Sequence, residues 1–382
     1  MIKEILRYPE KVLGVVINTR FFSILLSFPL LTTLTLVIIA AFWSFPSYDL
    51  MFINTDMHQN WTAIFLQAED PFLDHKDIYS HGSHSEKLAF RFVPALLLHI
   101  LHIDNILPAL IFQFLTLVLF YYLLVIIFNK LFVEKKKAFL YALPFCFVIS
   151  GHVYASDYRG MFDTLALDFI LIAILFRDKI YVVIPLLLAY FTDERALIAS
   201  PAIFLLNIFI SGNYTTLHSI FKEIVRVSNI YLISSWIIYF MCRITLHYTL
   251  GLTSGSGEDC FLFLEQINKT FYTIYIGLEG FIIPFIFIIY YLLKNKNYTY
   301  SLLIILSFLL LFFVAQSVLD INRSMSYVIL IQILIILLFD RFYSKETVFK
   351  IIALVIMINI FYDDFYPFLA QVYRMKFITH SI

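Results

Sequence analysis

The chain is a succession of long apolar runs separated by short polar clusters. A run of about 20 apolar residues, or about 17 at the short end, crosses a bilayer as an α-helix. The pattern predicts spans at 21–43, 105–128, 138–155, 161–176, 180–192, 196–211, 228–249, 272–293, 300–317, 325–340 and 349–363, about 11 in all. Residues 88–103 (LAFRFVPALLLHILHI) are apolar enough to compete. Counting them as a span would put KLFVEKKK on the side that the other basic loops avoid, so they read as an interfacial or re-entrant helix. The longest non-apolar segment, about 44–90, follows the first run and, with the interfacial segment after it, makes a first extracytoplasmic loop over 44–104. Inside it DMHQNWTAIFLQA has amphipathic spacing, with Met57, Trp61, Ile64 and Phe65 on one face, suited to the headgroup region. No repeat of 20–50 residues and no low-complexity linker divides the chain. The expected architecture is an all-α polytopic membrane bundle, a single transmembrane domain over 1–382.

Composition narrows the class. Apolar residues make up 61% and charged residues 14%, with a mean hydropathy of +0.87. A soluble domain carries about 25% charged residues. These figures exclude a cytosolic enzyme, a secreted disulfide scaffold and a disordered protein. Lys+Arg and Asp+Glu are both 27. That balance argues against a nucleic-acid partner. Cys146, Cys242 and Cys260 are far apart and form no CxxC pair, so neither a zinc site nor a disulfide is expected. The N-terminal segment is long and mixed in charge and no cleavage site follows it, so 21–43 reads as a retained span.

The placement of charge sets the expected topology. With a cytoplasmic N-terminus, well over half of the 27 basic residues fall in inner loops, including Lys130, Lys135–Lys137, Arg177, Lys222, Lys294, Arg341 and Lys345. The C-terminus then lies outside. The outer face collects the acidic and histidine-rich loop (Asp49, Asp56, His58, Glu69, Asp70, Asp74, Asp77, His75, His81, His84). It also collects three short clusters: Asp157, Arg159 and Asp163 in ASDYRGMFD; Asp193, Glu194 and Arg195 in FTDERAL; Asp320 and Arg323 in LDINRSM. Charges at span ends are costly unless paired or in a watery cavity. Inside the spans, Asp168 and Arg243 either pair with each other or face the bundle interior. The loop histidines with Asp74 or Asp77 are a weak metal pattern, and a solvated loop is the favoured reading. No metal and no other cofactor is expected.

A carboxylate beside arginines at a membrane surface suits transfer from a lipid phosphate. The carboxylate takes a proton from an acceptor hydroxyl as general base, and an arginine stabilises the departing phosphate. Such chemistry needs no ATP, because the sugar is already activated on the lipid.

The order of these features resembles the GT-C superfamily of integral-membrane glycosyltransferases, and within it the bacterial mannosyltransferase-like branch that uses polyprenyl-phosphate sugars. TDMHQNWTAIFLQAEDPF is similar to the family's Asp, aromatic and Pro-aromatic turn, with Asp56, Trp61 and Asp70-Pro71-Phe72 in those places; Glu69 or Asp70 stands where the family has Gly. FRFVPALLLHIL, which contains Arg91, resembles the segment that closes the loop. DYRGMFDTLALDFILIAILF resembles the Gly-x-x-Asp segment, and TDERALIASPAIFLL the basic residue followed by an apolar run with Pro. The likeness covers about residues 20–210. It implies an inverting transferase of the cell envelope, active in polysaccharide biosynthesis at the extracytoplasmic face of the bacterial inner membrane. Asp56 would be the general base, with Asp49 the alternative. Arg323, Arg195 and Arg159 would hold phosphate, with His58, Asp70, Arg91, Asp163 and Glu194 beside the substrate. The partners would be a polyprenyl-phosphate sugar donor, a glycan, lipid-linked or protein acceptor and membrane lipids. Two alternatives remain: a polysaccharide polymerase or ligase, and a non-enzymatic transporter or flippase. A transporter predicts paired broken helices, which the sequence does not display.

Overall fold

In a computed structural model the structure describes residues 19, 26–44, 55–72, 89–132, 134–154, 160–211, 224–252, 262–318 and 320–362. Among the described residues there is no strand. Among the described residues six helical segments are long and apolar enough to cross a membrane: 106–131, 194–211, 227–250, 267–294, 298–316 and 321–342. Each coincides with one of the expected spans. Two more apolar helices, Pro29–Trp43 and Ile180–Thr192, are shorter, at positions where the runs 21–43 and 180–192 were read as full spans.

In chain order, α1 (Pro29–Ser44) is followed by α2 (Thr55–Glu69), α3 (Phe92–Ile100) and α4 (Ile106–Leu131). Next come α5 (Lys135–Ala142), α6 (Ile149–His152), α7 (Asp163–Leu175), α8 (Val183–Thr192), α9 (Glu194–Ala199), α10 (Pro201–Ser211) and α11 (Val227–Leu250). The C-terminal part holds α12 (Thr270–Leu278), α13 (Ile282–Lys294), α14 (Tyr298–Gln316), α15 (Ile321–Ser326), α16 (Ile329–Phe342) and α17 (Lys345–Tyr362).

Helix α16 is apolar from Ile329 to Phe339 save for Gln332, and every residue of that stretch is buried. A helix of that kind belongs at the centre of a bundle, and α10, α13, α14 and α17 pack around it. Helix α4 packs against α1, α5 and α7. Helix α11 has the smallest buried share of the six long helices and lies at the periphery.

Helix α3 is nine residues long, a rise of about 14 Å, too short to cross the hydrocarbon. Residues 88–103 therefore form no span. The amphipathic helix appears as α2, with Trp61, Ile64 and Ala68 buried and Leu66 exposed. It lies on α3, where the His99 Nδ1 meets the Ala68 carbonyl at 2.7 Å.

Two expected spans are interrupted by a 3-10 turn. The segment 138–155 breaks into α5, a 3-10 turn over Leu143–Phe147 and the short α6. The segment 272–293 breaks at Glu279, whose φ of 46° and ψ of −131° end α12 before α13 begins. The two breaks meet: the Ile149 N–H donates to Glu279 Oε1 at 2.7 Å. Other side chains serve the freed backbone. Asn359 Oδ1 accepts from the Gly280 N–H at 2.7 Å, and Gln332 Nε2 donates to the Gly277 carbonyl at 3.0 Å. The sequence reading of unbroken helices is thus corrected. Broken helices persist only where neighbours satisfy the released groups, and those neighbours are far away in sequence. A third correction is small: 161–176 is the 13-residue α7.

Candidate functional site

Four separate stretches of chain converge on one buried ionic network. Each stretch delivers its charge from the start of a helix. Asp193 is the N-cap of α9, its Oδ1 accepting from the Arg195 N–H at 2.9 Å. Asp320 caps α15 in the same way, accepting from the Arg323 N–H at 3.3 Å. Acidic N-caps satisfy amides that the first turn leaves unbonded. Here each cap also brings the arginine of its own first turn to the same end of the helix.

Asp163 opens α7 immediately after Phe162, which takes a left-handed conformation at φ 60° and ψ 24°. That conformation is rare for a bulky residue. It is held by ring contacts, Trp61 of α2 edge-on at 6.0 Å and Phe112 of α4 at 6.4 Å. Gly160 stands in the same turn at φ +79°, and a Cβ there would come within 2.8 Å of Ile64 Cδ1. The Gly-Met-Phe-Asp motif therefore seats α2 and Asp163 together.

At the centre, Arg195 donates from Nε to Asp193 Oδ1 at 2.9 Å and from Nη2 to Asp163 Oδ1 at 2.8 Å. It also reaches Asp193 Oδ2 from Nη2 and Ser324 Oγ from Nη1 at 3.3 Å. Arg323 donates from Nε to Asp163 Oδ2 at 2.5 Å, with its Nη2 3.9 Å from Asp193 Oδ2. Arg91 approaches from the start of α3, with Nη1 3.3 Å from Asp193 Oδ2 and Nε donating to Glu194 Oε2 at 2.8 Å. Tyr327 donates to Asp163 Oδ1 at 3.4 Å, and its ring lies under the Arg195 guanidinium at 5.6 Å.

Asp163 and Asp193 are fully buried, whereas the side chains of Glu194 and Asp320 are 26% and 46% exposed. The core is thus three guanidiniums around two carboxylates, with two further carboxylates on a wet rim. Burial alone would raise the Asp193 carboxyl, but Arg195 and Arg91 outweigh it and hold Asp193 below the usual carboxylate range. Burial would likewise lower Arg91, yet Asp193 and Glu194 keep it firmly protonated.

Of the expected site residues, the structure brings together Arg91, Asp163, Glu194, Arg195 and Arg323. Asp56 and His58 lie in the first turns of α2, which packs against Phe162 beside Asp163. Asp70 is exposed in the turn after α2, with its Oδ1 accepting from the Phe72 N–H at 3.3 Å. Asp49 and Arg159 lie outside the described residues, as do Cys260 and the histidines at 75, 81 and 84. Among the described residues no cluster of His, Cys, Asp and Glu fits a metal ion. Asp168 is buried in α7, while Arg243 turns to the Phe90 ring and the Tyr239 hydroxyl, so facing the bundle, not mutual pairing, describes these two.

Sequence reasoning left Asp193, Ser324 and Tyr327 out of the site. Asp193 was visible as one of a charged trio, and its bridging role depends on α3 and α15 arriving from elsewhere. Tyr327 stands four residues after Arg323, on the same helical face, and that spacing was the available signal.

No family model matches the chain, and neither a curated protein nor a solved structure matches it. The site therefore stands on its own geometry.

Proposed function

We propose that the protein is a membrane glycosyltransferase that moves a sugar from a polyprenyl-phosphate carrier to a glycan, lipid-linked or protein acceptor at the extracytoplasmic face of a bacterial inner membrane. The observation that carries this reading is the convergence of three guanidiniums, Arg91, Arg195 and Arg323, on the buried Asp163 and Asp193. Its rim carboxylates, Glu194 and Asp320, are wet enough to yield to an arriving phosphate. Arginine holds phosphate with fixed, bidentate geometry, and a network preset for the charge loses nothing to reorganisation when the charge develops.

In the reaction, the acceptor oxygen forms a bond to the anomeric carbon from the face opposite the phosphate. The bond from that carbon to the phosphate oxygen breaks, and the phosphate keeps the electron pair, held by the arginines. Asp56 takes the acceptor's proton. Attack from the far face inverts the anomeric centre. Helix α2 supports this assignment, because it carries Asp56 and packs against the turn that presents Asp163.

The test is transfer by the purified protein in liposomes supplied with radiolabelled polyprenyl-phosphate mannose or glucose and a membrane-glycan acceptor. Asp56→Asn is expected to lower turnover by about 10²- to 10⁴-fold, the usual worth of a general base. Full activity in Asp56→Asn together with a loss in Asp49→Asn moves the base to Asp49. Full activity in both overturns the carboxylate mechanism.

A second reading draws on the two interrupted helices that meet at Glu279. Paired discontinuous helices around a buried acidic residue are a transporter feature. A lipid-linked sugar that crosses the liposome bilayer without being consumed supports this reading.

A further inference from the structure

Lysines gather where α5 begins, α16 ends and α17 begins, and three of them are bound to carboxylates. Lys137 pairs with Asp340 at 2.7 Å, Lys345 with Glu134 at 2.8 Å, and Lys350 with Glu346 one turn away. Lys135 differs. Its Nζ donates to the Ser27 carbonyl at 3.0 Å, a neutral acceptor. Among the described residues no carboxylate lies within ion-pair distance of it. An ammonium has three N–H donors, so this bond leaves the charge whole and two donors for a further acceptor.

Among the described residues, Leu26, Ser27, Glu134, Lys135 and Lys136 line a pocket of about 280 Å³. It lies between the residues just before α1 and the start of α5. Two ammoniums stand on its wall beside one carboxylate, and that carboxylate is bound to Lys345. The pocket is smaller than most sites for a drug-sized ligand, and its charge suits a compact anionic group. An apolar stripe leads away from it. Leu30, Leu34, Ile38 and Phe42 recur every four residues along α1, beginning four positions after Leu26, and all four are exposed. Residues four apart share a helix face, and an exposed apolar face on a membrane helix meets lipid tails.

We infer that this pocket seats the headgroup of an anionic glycerophospholipid, with its phosphate on Lys135 and Lys136 and its acyl chains along the stripe of α1. A free phosphate ion meets the lysines alone, whereas a lipid meets the lysines and the stripe together. Basic pockets beside membrane helices take anionic headgroups in this way. In the second half of α1, the Cys146 thiol donates to the Leu36 carbonyl at 3.4 Å and the Tyr154 hydroxyl to the Ala40 carbonyl at 3.0 Å. The lipid adds a clamp at the other end of α1, against α5. The pocket and its lipid are independent of the transferase reading and of which leaflet the lysines face.

Native mass spectrometry of the detergent-purified full chain, titrated with phosphatidylglycerol or phosphatidylcholine, tests the inference. Both lipids carry two acyl chains and one phosphate, but only phosphatidylglycerol has a net charge. The wild-type protein is expected to bind phosphatidylglycerol about thirtyfold more tightly, the worth of two lysines at an anionic headgroup. Lys135→Gln combined with Lys136→Gln is expected to erase that preference. Glu134→Gln removes the carboxylate from the wall and releases the Lys345 charge, so it is expected to tighten phosphatidylglycerol binding about fivefold. A gain of that kind does not come from damage to the fold. Equal affinity for the two lipids in wild type, an unchanged preference in the double variant, or no gain in Glu134→Gln overturns the inference. The wild-type and Glu134→Gln measurements decide even where the double variant folds poorly. Displacement of phosphatidylglycerol by inorganic phosphate at millimolar concentration would assign the pocket to a free ion, and that result overturns the lipid as well.

Discussion

Asp193 meets Arg195, Arg91 and Arg323 while fully buried. Removing one partner of a buried ionic network strands the others, at a cost of about 3–5 kcal/mol. Asp193→Asn is expected to lose stability of that order, read as a fall in the thermal midpoint of the detergent-solubilised protein. Glu194→Gln, at the exposed rim, is expected to cost less than about 1 kcal/mol. The pH dependence has a defined sign. A carboxylate depressed in the folded state stabilises fully above its unfolded value of about 3.9, and that stabilisation is lost as pH falls through the folded value. The gap between wild type and Asp193→Asn is therefore expected to be constant from about pH 8 to about pH 5 and to narrow below about pH 4; a gap that narrows near pH 6 would assign the stabilisation to another group. At this scale the sequence was informative about which residues carry charge. Arg91, Glu194, Arg195 and Arg323 stand out because ionisable groups are scarce at span ends. That they share Asp193 and Asp163 was not legible, since the partners lie up to 160 positions apart and local spacing says nothing of such distances.

Gly160 and Glu279 carry the same lesson for whole elements. The close seat of α2 on the turn before α7 needs both the positive φ of Gly160 and the space its missing Cβ leaves beside Ile64. Gly160→Ala is expected to lose about 1–3 kcal/mol through backbone strain and to lower transfer as α2 shifts away from Asp163. Recovery of transfer in Gly160→Ala with Ile64→Val, which trims the facing methyl, checks that cause. At the second site, Glu279→Gln keeps an oxygen for the Ile149 N–H, whereas Glu279→Ala leaves that buried donor without it. The alanine variant is expected to be about 1–3 kcal/mol less stable than the glutamine variant; equal stability would mean that the break is held by Gln332 and Asn359 alone. The long apolar helices were readable because unbroken runs of that length have few other uses. The interruptions carry only a local hint, Pro144 within Leu143–Phe147 and Gly280 within Glu279–Phe281, in segments that are otherwise about as apolar as their surroundings apart from Glu279. What permits a break is a side chain on another helix.

Across the molecule, charge is sorted to two ends. The unit Ile321–Phe342 runs 22 residues, a rise of about 33 Å, close to the thickness of the hydrocarbon. Arg323 at its start joins the ionic network. Asp340 at its other end binds Lys137 at 2.7 Å and accepts from the Tyr141 hydroxyl. Lys345 pairs with Glu134 at 2.8 Å, Lys135 donates to the Ser27 carbonyl at 3.0 Å, and Arg341 donates to the Phe209 carbonyl at 2.6 Å. Of the basic loops assigned to one side by charge counting, those at 134–137 and 340–345 therefore meet at one end of the bundle, away from the network. Positive charge in short loops marks the cytoplasmic side, so the lysine-rich end is expected inside and the arginine network outside. Single cysteines placed at Lys136 and Glu69, with the three native cysteines replaced by serine, test this with a membrane-impermeant maleimide. Glu69→Cys is expected to label in intact spheroplasts and Lys136→Cys only after permeabilisation. The reverse pattern would turn the network toward the cytoplasm, where the donor would be a soluble nucleotide sugar and a lipid phosphate would be its acceptor. Labelling of both from one side would break the two-ended arrangement itself. The orientation thus fixes which side of the transfer the arginines serve, and that is decided by charge spread over the whole chain rather than by any residue within the site.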